Sequence, residues 1–224
     1  MVENDKRIRI ITGHYGSGKT EFALNYVAAL SKVSKKSAIA DLDIVNVYFR
    51  SREKKKELEE MGIKVISSSL TNNSSDMPAI SREVSIPVRD NSYDYVIDLG
   101  GNDVGAITLS RLKPLFNKEE IDFFMVVNTN RPDTSTVEKI IEQMRQIEFS
   151  TGLKVTGFIN NTNLIRETDC ETIKKGEKIL LKVSDITGVT IKYTTYITEI
   201  LPDLKIEFAG ELFPMKFFMR KIWM

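Results

Sequence analysis

The chain has 224 residues, of which 42% are apolar, enough for one α/β domain with a sizeable core. Its 32 basic and 31 acidic side chains leave a net charge of +1, so no overall field attracts nucleic acid. A single cysteine, Cys170, excludes an internal disulfide or a cysteine-rich metal site, and neither a signal-peptide pattern nor 18 consecutive apolar residues is present, so we expect a soluble cytoplasmic protein.

A glycine-rich loop separates the first predicted strand from the first predicted helix. Residues 8–11 form a short apolar run typical of a buried parallel strand, and apolar residues recur at helical spacing over 22–30. Between them, residues 13–20 (GHYGSGKT) match the pattern G-x-x-x-x-G-K-[ST]. The fixed positions are occupied by Gly13, Gly18, Lys19 and Thr20. Glycines let backbone N–H groups approach phosphate oxygens, and the lysine and hydroxyl reach the phosphates and Mg²⁺, so the loop predicts binding of a nucleoside triphosphate.

The second predicted strand, residues 37–42 (SAIADL), ends in acidic residues. Asp41 and Asp43 stand at alternate positions around the strand's end. Carboxylates placed there could hold the waters of Mg²⁺ and orient an attacking water. The alternative is an ordinary boundary between strand and loop with solvated acids.

The third predicted strand, residues 63–67, leads into a polar stretch rich in turn-forming residues. Residues 67–78 (SSSLTNNSSDMP) are long for a crossover in a compact domain. We therefore expect a mobile surface loop that could serve a partner.

The fourth predicted strand, residues 93–99 (YDYVIDL), carries an aspartate at its end. Asp98 follows an apolar run and precedes two glycines, which allow the backbone to approach a γ-phosphate. A buried aspartate is costly unless it binds a cation or accepts hydrogen bonds. We interpret Asp98 as the Walker B acid; the alternative is a residue that caps the next helix.

The remaining elements continue the alternation of strands and helices. We predict strands at 121–128, 154–160 and 189–196, and helices at 53–61, 79–90, 104–116, 134–149 and 170–185. Such alternation is typical of a doubly wound, mostly parallel sheet with helices on both faces. The sequence therefore predicts a single α/β domain over residues 1–224.

An asparagine-rich segment follows the strand at 154–160. Residues 160–163 read NNTN, and their side-chain amides could pair with a nucleobase edge. The alternative is a plain turn, because asparagine is common in turns.

These motifs together resemble the CobQ/CobB/MinD/ParA group of P-loop proteins. The resemblance covers most of the chain and rests on GHYGSGKT, DLD at 41–43, VIDLGG at 96–101 and FINN at 158–161. It implies that Asp43 positions the hydrolytic water, that Asp98 supports Mg²⁺ through water, and that Asn160 or Asn161 contacts adenine. The expected catalytic residues are Lys19, Asp43 and Asp98, and the expected Mg²⁺ residues are Thr20, Asp41, Asp43 and Asp98. The expected nucleotide-binding residues are Gly13, Tyr15, Gly16, Ser17, Gly18, Lys19, Thr20, Glu21, Asn160 and Asn161.

One departure from the group lies inside the loop. Dimeric ATPases of the group carry a lysine at the second loop position, which reaches the partner's nucleotide, and this chain has His14 there. Tyr15 likewise stands where the dimeric members have glycine. A histidine is shorter and at most partly charged near neutral pH, so it does not simply replace that lysine. A homodimer closed over ATP is thereby disfavoured, and His14 can equally pack beside the loop without a catalytic role.

Two functions follow from the resemblance. The first is an MgATP-dependent switch that hydrolyses ATP slowly and acts on an unknown protein partner. The alternative is a small-molecule kinase or a carboxylate-activating enzyme of the dethiobiotin synthetase or CobB type. The chain lacks the N-K-x-D guanine motif, which favours ATP over GTP.

The last residues, 214–224, form an amphipathic pattern in helical projection. Apolar side chains gather on one side and basic ones on the other, as in helices that lie on a membrane surface. We prefer the alternative that this tail packs on its own domain, because Pro214 and Phe217 interrupt the helix and its polar face.

Overall fold

The computed structural model describes residues 2–42, 54–67, 82–101, 109, 110, 112–202, 204 and 206–219. Its strands are β1 (Ile8–Gly13), β2 (Ser37–Asp41), β3 (Ile63–Ser67), β4 (Asp94–Asp98), β5 (Ile121–Val127), β6 (Gly157–Asn160), β7 (Ile191–Ile197) and β8 (Glu211–Met215). Its α-helices are α1 (Lys19–Leu30), α2 (Lys55–Glu60), α3 (Ile86–Arg89), α4 (Val137–Thr151) and α5 (Cys170–Thr187). Short 3₁₀ helices include Pro132–Thr134, directly after β5.

The described strands form one sheet in the order β3-β2-β4-β1-β5-β6-β7-β8. Every neighbouring pair is parallel, so the predicted mostly parallel sheet is parallel throughout the described strands. Carboxyl ends of parallel strands meet at one edge, and that is where ligands sit in open α/β sheets. The loop after β1 therefore lies between the ends of β4 and β5.

Apolar side chains cover both faces of the sheet. Along β1, Ile8 and Ile10 belong to the cluster under α3, α4 and α5, while Ile11 belongs to the cluster under α1 and α2. Strand side chains alternate between faces, so a strand covered on both sides must be apolar at successive positions. This arrangement confirms the predicted doubly wound α/β class.

A buried polar network closes the end of the sheet opposite the glycine-rich loop. The carboxylate of Asp5 accepts the hydroxyls of Tyr26 and Tyr193 at 2.6 and 2.5 Å, and Lys192 lies 2.6 Å away. Arg9, almost fully buried, donates to the carbonyls of Val2 and Asp5. Burial of this kind is tolerated because the charges are paired and hydrogen-bonded.

The structure differs from the predicted elements at two places that contain a proline. In the described part of the predicted helix 79–90, a 3₁₀ turn, Arg82–Ser85, is followed by the short α3, and residues 79–81 lie outside the described part. Pro87 stands in the first turn of α3, where a missing N–H costs nothing, so α3 begins at Ile86. The prediction from sequence also missed β8, which among the described strands pairs with β7 alone and on which Pro214 is exposed, as an edge strand allows.

The tail does not form the projected helix in the residues that the structure describes. Met215 ends β8, and residues 216–219 lie against α1, which agrees with the preferred alternative that the tail packs on the domain. Residues 220–224 are outside the described part of the chain, as are most of the predicted loop at 67–78 and part of the predicted helix at 104–116. Among the described helices, none has the length and apolar character needed to cross a membrane.

Candidate nucleotide-binding site

The glycine-rich loop has a backbone that only glycine allows at several positions. Gly16 and Gly18 have φ of 77° and 87°, in the left-handed region. A Cβ on Gly13 would lie 2.5 Å from the Val126 carbonyl oxygen. The loop thus curls tightly from β1 into α1, and its backbone N–H groups are close to the positive end of the α1 dipole, where anions bind.

The start of α1 and the end of β4 meet at a polar centre. The Thr20 hydroxyl donates a 2.7 Å hydrogen bond to the Asp98 carboxylate, which is fully buried. Lys19, the first residue of α1, is 7% exposed. Asp41, also buried, is the direct register partner of Asp98 across β2 and β4. Two carboxylates and a hydroxyl brought together at one edge suit Mg²⁺, which takes few protein ligands and shares the rest with water and phosphate.

The polar centre opens onto a cavity of about 530 Å³ beside the loop. Its walls are His14, Tyr15, Gly16, Gly18, Lys19, Thr20, Arg131, Pro132 and Asp133. The volume falls within the usual range for small-molecule sites. Tyr15, predicted to bind nucleotide, stands at the rim of this cavity with 79% of its surface exposed. The cavity has room for an anionic group beside the backbone N–H groups of the loop.

Arg131 joins this cavity to a second one. Its Nε donates a 3.0 Å hydrogen bond to the Gly16 carbonyl, and its side chain lines both cavities. Among the described residues, its terminal NH₂ groups have no protein partner, which leaves two charged donors at the border between the cavities. The sequence reading missed Arg131, since it lies 115 residues from its loop partner.

The second cavity, which we call the base cavity, is narrow, about 90 Å³, and largely apolar. It touches the phosphate loop at Gly16 and Gly18 and extends to the ends of β7 and β8. Its apolar walls are Ile165, Tyr196, Ile197, Ile200, Leu201, Met215 and Phe217. Apolar walls with a few polar groups are typical of ligand sites, and a flat ring could enter between them from the loop.

The asparagines predicted to contact adenine have structural roles. Asn161 is buried; its amide donates to the Ser17 carbonyl at 2.6 Å and accepts the Thr195 hydroxyl at 2.6 Å. Asn161 lines the base cavity, but both ends of its side-chain amide are hydrogen-bonded to the protein. Asn160 is fully buried and donates to the Ile173 carbonyl in α5. Asn160 is not among the residues that line the base cavity, and its contact with adenine stays a prediction.

Glu21, predicted to bind the nucleotide, is hydrogen-bonded to the C-terminal segment. Its side chain lines the base cavity, but its carboxylate accepts the backbone N–H groups of Phe218 and Met219. Glu21 therefore binds the C-terminal segment, and its carboxylate would repel phosphate. Ser17, another predicted ligand, is buried beneath the loop and contributes its carbonyl to Asn161.

His14 contacts the loop after β5. Its Nε2 lies 3.5 Å from the Asp133 carboxylate, and its Nδ1 lies 2.9 Å from the Tyr15 carbonyl oxygen. His14 and Asp133 also border a third cavity of about 470 Å³ over the polar side of α4. Its other walls are Gly101, Lys139, Glu142, Gln143, Gln146, Ile147 and Ser150.

Asp43, predicted to position the hydrolytic water, lies outside the residues that the structure describes. Gly101 approaches the phosphate loop so closely that a Cβ on it would lie 2.2 Å from the Gly13 carbonyl oxygen. Gly101 thus permits a close approach of two backbones, and the approach of this segment to a γ-phosphate stays a prediction.

Comparisons with known proteins bear on the fold. No protein-family model matches the sequence, and no curated protein matches it either. FtsY from Thermotoga maritima has 18% identity and a TM-score of 0.55, with 84% of this chain and 60% of that one covered. FtsY from Mycoplasma mycoides has 15% identity and a TM-score of 0.54, with 84% and 59% covered.

FtsY from Elizabethkingia anophelis in complex with GDP has 16% identity and a TM-score of 0.50, with 84% and 56% covered. The chain thus spans less than two thirds of the length of each of these three structures. At identities this low, the structural similarity shows a shared fold alone. Membership of the CobQ/CobB/MinD/ParA group stays a prediction. The chain has the α/β fold of P-loop nucleoside triphosphatases.

Proposed function

We propose that this chain binds MgATP and hydrolyses it slowly, as a cytoplasmic switch that acts on a protein partner. One observation carries the proposal: a tightly curled glycine loop opens on a cavity lined by Lys19 and Thr20, and the Thr20 hydroxyl is bonded to the buried Asp98 carboxylate. The motif, the strand before it and the helix after it together are the phosphate-binding unit of P-loop proteins. The complex of a structural neighbour with GDP supports nucleotide as the class of ligand.

Each residue at the polar centre has a distinct task in this proposal. Lys19 binds the β and γ phosphates, and Thr20 and Asp98 hold the cation directly or through water. Mg²⁺, when bound, neutralises charge on the phosphate oxygens. Arg131, which lines the same cavity, offers its two NH₂ groups to the phosphate chain. The resemblance assigns the orientation of the attacking water to Asp43.

The base cavity favours adenine over guanine. Guanine presents two N–H donor groups that proteins commonly satisfy with a carboxylate. Among the described residues, Glu21 is the only acid that lines the base cavity, and its carboxylate already accepts backbone N–H groups of the C-terminal segment. Adenine makes no such demand, so ATP is the proposed nucleotide.

The test of binding is calorimetric titration with MgATP and MgGTP. We expect ATP to bind, and Lys19→Ala to weaken binding by about 10- to 150-fold, because a charge-assisted contact with phosphate is worth about 1.5–3 kcal/mol. Lys32→Ala, which changes an exposed lysine just beyond α1, is the matched control and should bind like the wild type. Absence of heat and of any rise in Tm with either nucleotide would end the proposal.

The switch requires that ATP and ADP stabilise different states. Moving an equilibrium from mostly off to mostly on takes about 5.5 kcal/mol of differential affinity, which contacts to the γ-phosphate and Mg²⁺ can provide. Hydrogen exchange with ADP and with a non-hydrolysable ATP analogue should then differ in residues 43–52 and 98–105. Equal protection of both segments would argue against a switch.

A second candidate function is phosphorylation or activation of a small carboxylate. The cavity over α4 favours this function. It has a volume of about 470 Å³, is lined mainly by polar side chains, and shares His14 and Asp133 with the phosphate cavity. A substrate there would lie next to the transferable phosphate. Stimulation of ATP turnover by one member of a panel of carboxylate metabolites would support this function, and turnover at the basal rate throughout would disfavour it.

A further inference from the structure

The C-terminal segment after β8 is fastened to the helix that begins at the phosphate loop. We call residues 216–219 the strap. The backbone N–H of Lys216 donates to the Asn25 side chain at 2.8 Å, and the same side chain donates to the Lys216 carbonyl at 2.9 Å. The Glu21 carboxylate accepts the N–H groups of Phe218 and Met219.

Glu21 and Asn25, the two residues that bind the strap, lie on α1, one turn apart and close to the phosphate loop. Glu21 follows Thr20 in sequence, and Asn25 is 7% exposed and also donates to the Glu21 carbonyl. Hydrogen bonds that include a carboxylate and a buried amide fix the strap more firmly than contacts between exposed side chains would. The position of the strap is therefore set by the same helix that holds the loop.

The strap carries an aromatic ring to the base cavity. Phe217 is partly exposed and lines the cavity together with Met215 from the end of β8. Ile165, far from Phe217 in sequence, lines the same cavity. An aromatic side chain at a slot of this kind can stack on a base, and such stacking contributes about 1–3 kcal/mol per base.

We propose that Phe217 stacks on the purine ring of the bound nucleotide, and that Glu21 and Asn25 are positioning residues that hold it there. This inference rests on the proposed function, because it assumes that the phosphates occupy the loop. It assigns to the C-terminal strap a role in affinity for the base, separate from the affinity for phosphate that Lys19 provides.

The test compares two ligands, MgATP and inorganic tripolyphosphate with Mg²⁺, by calorimetry. Phe217→Ala should lower the affinity for ATP by about 5- to 150-fold, the equivalent of one stacking contact. Its affinity for tripolyphosphate should stay within about twofold, because that ligand has no base. Phe217→Leu, which keeps most of the apolar volume, should show the same selective loss, and Phe217→Trp should restore ATP binding.

Asn25→Ala tests the positioning role, because Asn25 lines none of the cavities described here. We expect a smaller loss that again affects ATP and spares tripolyphosphate. Phe149→Ala, which removes a phenyl ring that is 93% exposed on α4, is the control and should change neither affinity.

The outcomes separate this inference from the function on which it rests. If the wild type binds neither ligand, the proposed function fails. If the wild type binds ATP but Phe217→Ala and Phe217→Leu lose affinity for both ligands equally, or for neither, the stacking role is overturned. If these two variants show the split and Asn25→Ala does not, the positioning role of Asn25 is wrong.

Discussion

Asn161 shows how one side chain connects the phosphate loop to the rest of the site. Its amide bonds the Ser17 carbonyl on one side and the Thr195 hydroxyl of β7 on the other. Its Nδ2 would lie 2.3 Å from a Cβ on Gly18, so the loop packs directly against it. At the residue scale, the loop keeps its shape through this contact as well as through its glycines.

Asn161→Ala should therefore weaken nucleotide binding without direct loss of a ligand contact. Removal of the amide leaves the buried Ser17 carbonyl without its donor, which costs about 1–3 kcal/mol of stability. A looser loop should lower the affinity for MgATP by about tenfold. Calorimetry together with urea unfolding measures both effects. Asn117→Ala, at an exposed 3₁₀ N-cap, is the control; equal affinities in all three proteins would contradict the prediction.

The residues that sequence reasoning found and those it missed differ in how local their signals are. Lys19, Thr20 and Asp98 follow recognisable strands, so their pattern and position were readable from the sequence. Arg131 and Phe217 reach the site from distant parts of the chain, and nothing near them in sequence marks them. The burial of Asn160 was not readable from the sequence, because successive side chains along a strand lie on opposite faces of the sheet.

At the scale of elements, α5 packs against the loop after β6 through a glycine. A Cβ on Gly176 would lie 2.1 Å from the Thr162 hydroxyl oxygen and 2.4 Å from its Cβ. The Thr162 hydroxyl in turn accepts the backbone N–H of Thr129 after β5 at 3.2 Å. The glycine thus permits the close approach that joins α5 to two loops at the carboxyl edge of the sheet.

Gly176→Ala sets two effects against each other. Alanine in a helix is favoured over glycine by about 1 kcal/mol, but overpacking of a tight contact costs about 1–3 kcal/mol. Because the clash involves the Cβ of a buried, branched threonine, we expect overpacking to win and the free energy of unfolding to fall by about 1–2 kcal/mol. Denaturant unfolding measures it, with exposed Lys178→Ala on the same helix as control. A stabilised Gly176→Ala would show that the loop moves away at little cost.

At the scale of the whole molecule, the fold class was predictable from the sequence, whereas the strand order and the edge strand β8 were not. Alternating apolar runs were enough for the parallel sheet with helices on both faces. The order of strands was not readable, because it depends on which strands pair across long connections. The edge strand β8 was missed since Pro214 and an amphipathic projection favoured other readings, and an edge strand tolerates a proline that a central strand would not.

Stability at alkaline pH reports on the core as a whole. Burial raises the pKa of Tyr95 far above its ordinary value, and burial also raises the pKa of Tyr26 and Tyr193. In the folded state these hydroxyls stay protonated above pH 10, whereas in the unfolded chain they ionise near pH 10. Their contribution to stability is therefore complete below about pH 10 and declines as the pH rises further.

Tyr95→Phe isolates one of the three, because within the described part of the chain its hydroxyl makes one hydrogen bond, at 3.1 Å to the Val84 carbonyl. At pH 8 the variant should be about 1 kcal/mol less stable, the usual value of one hydrogen bond. Above pH 10 the wild type should lose stability faster than the variant by about 1.4 kcal/mol per pH unit, so that the two curves converge and cross. Urea unfolding at pH 8, 10 and 11 measures the difference in the free energy of unfolding between the two proteins. The titration of lysines is common to both and cancels in that difference. Parallel curves would mean that the unfolded and folded states hold the Tyr95 proton equally, and that β4 is open to solvent at high pH.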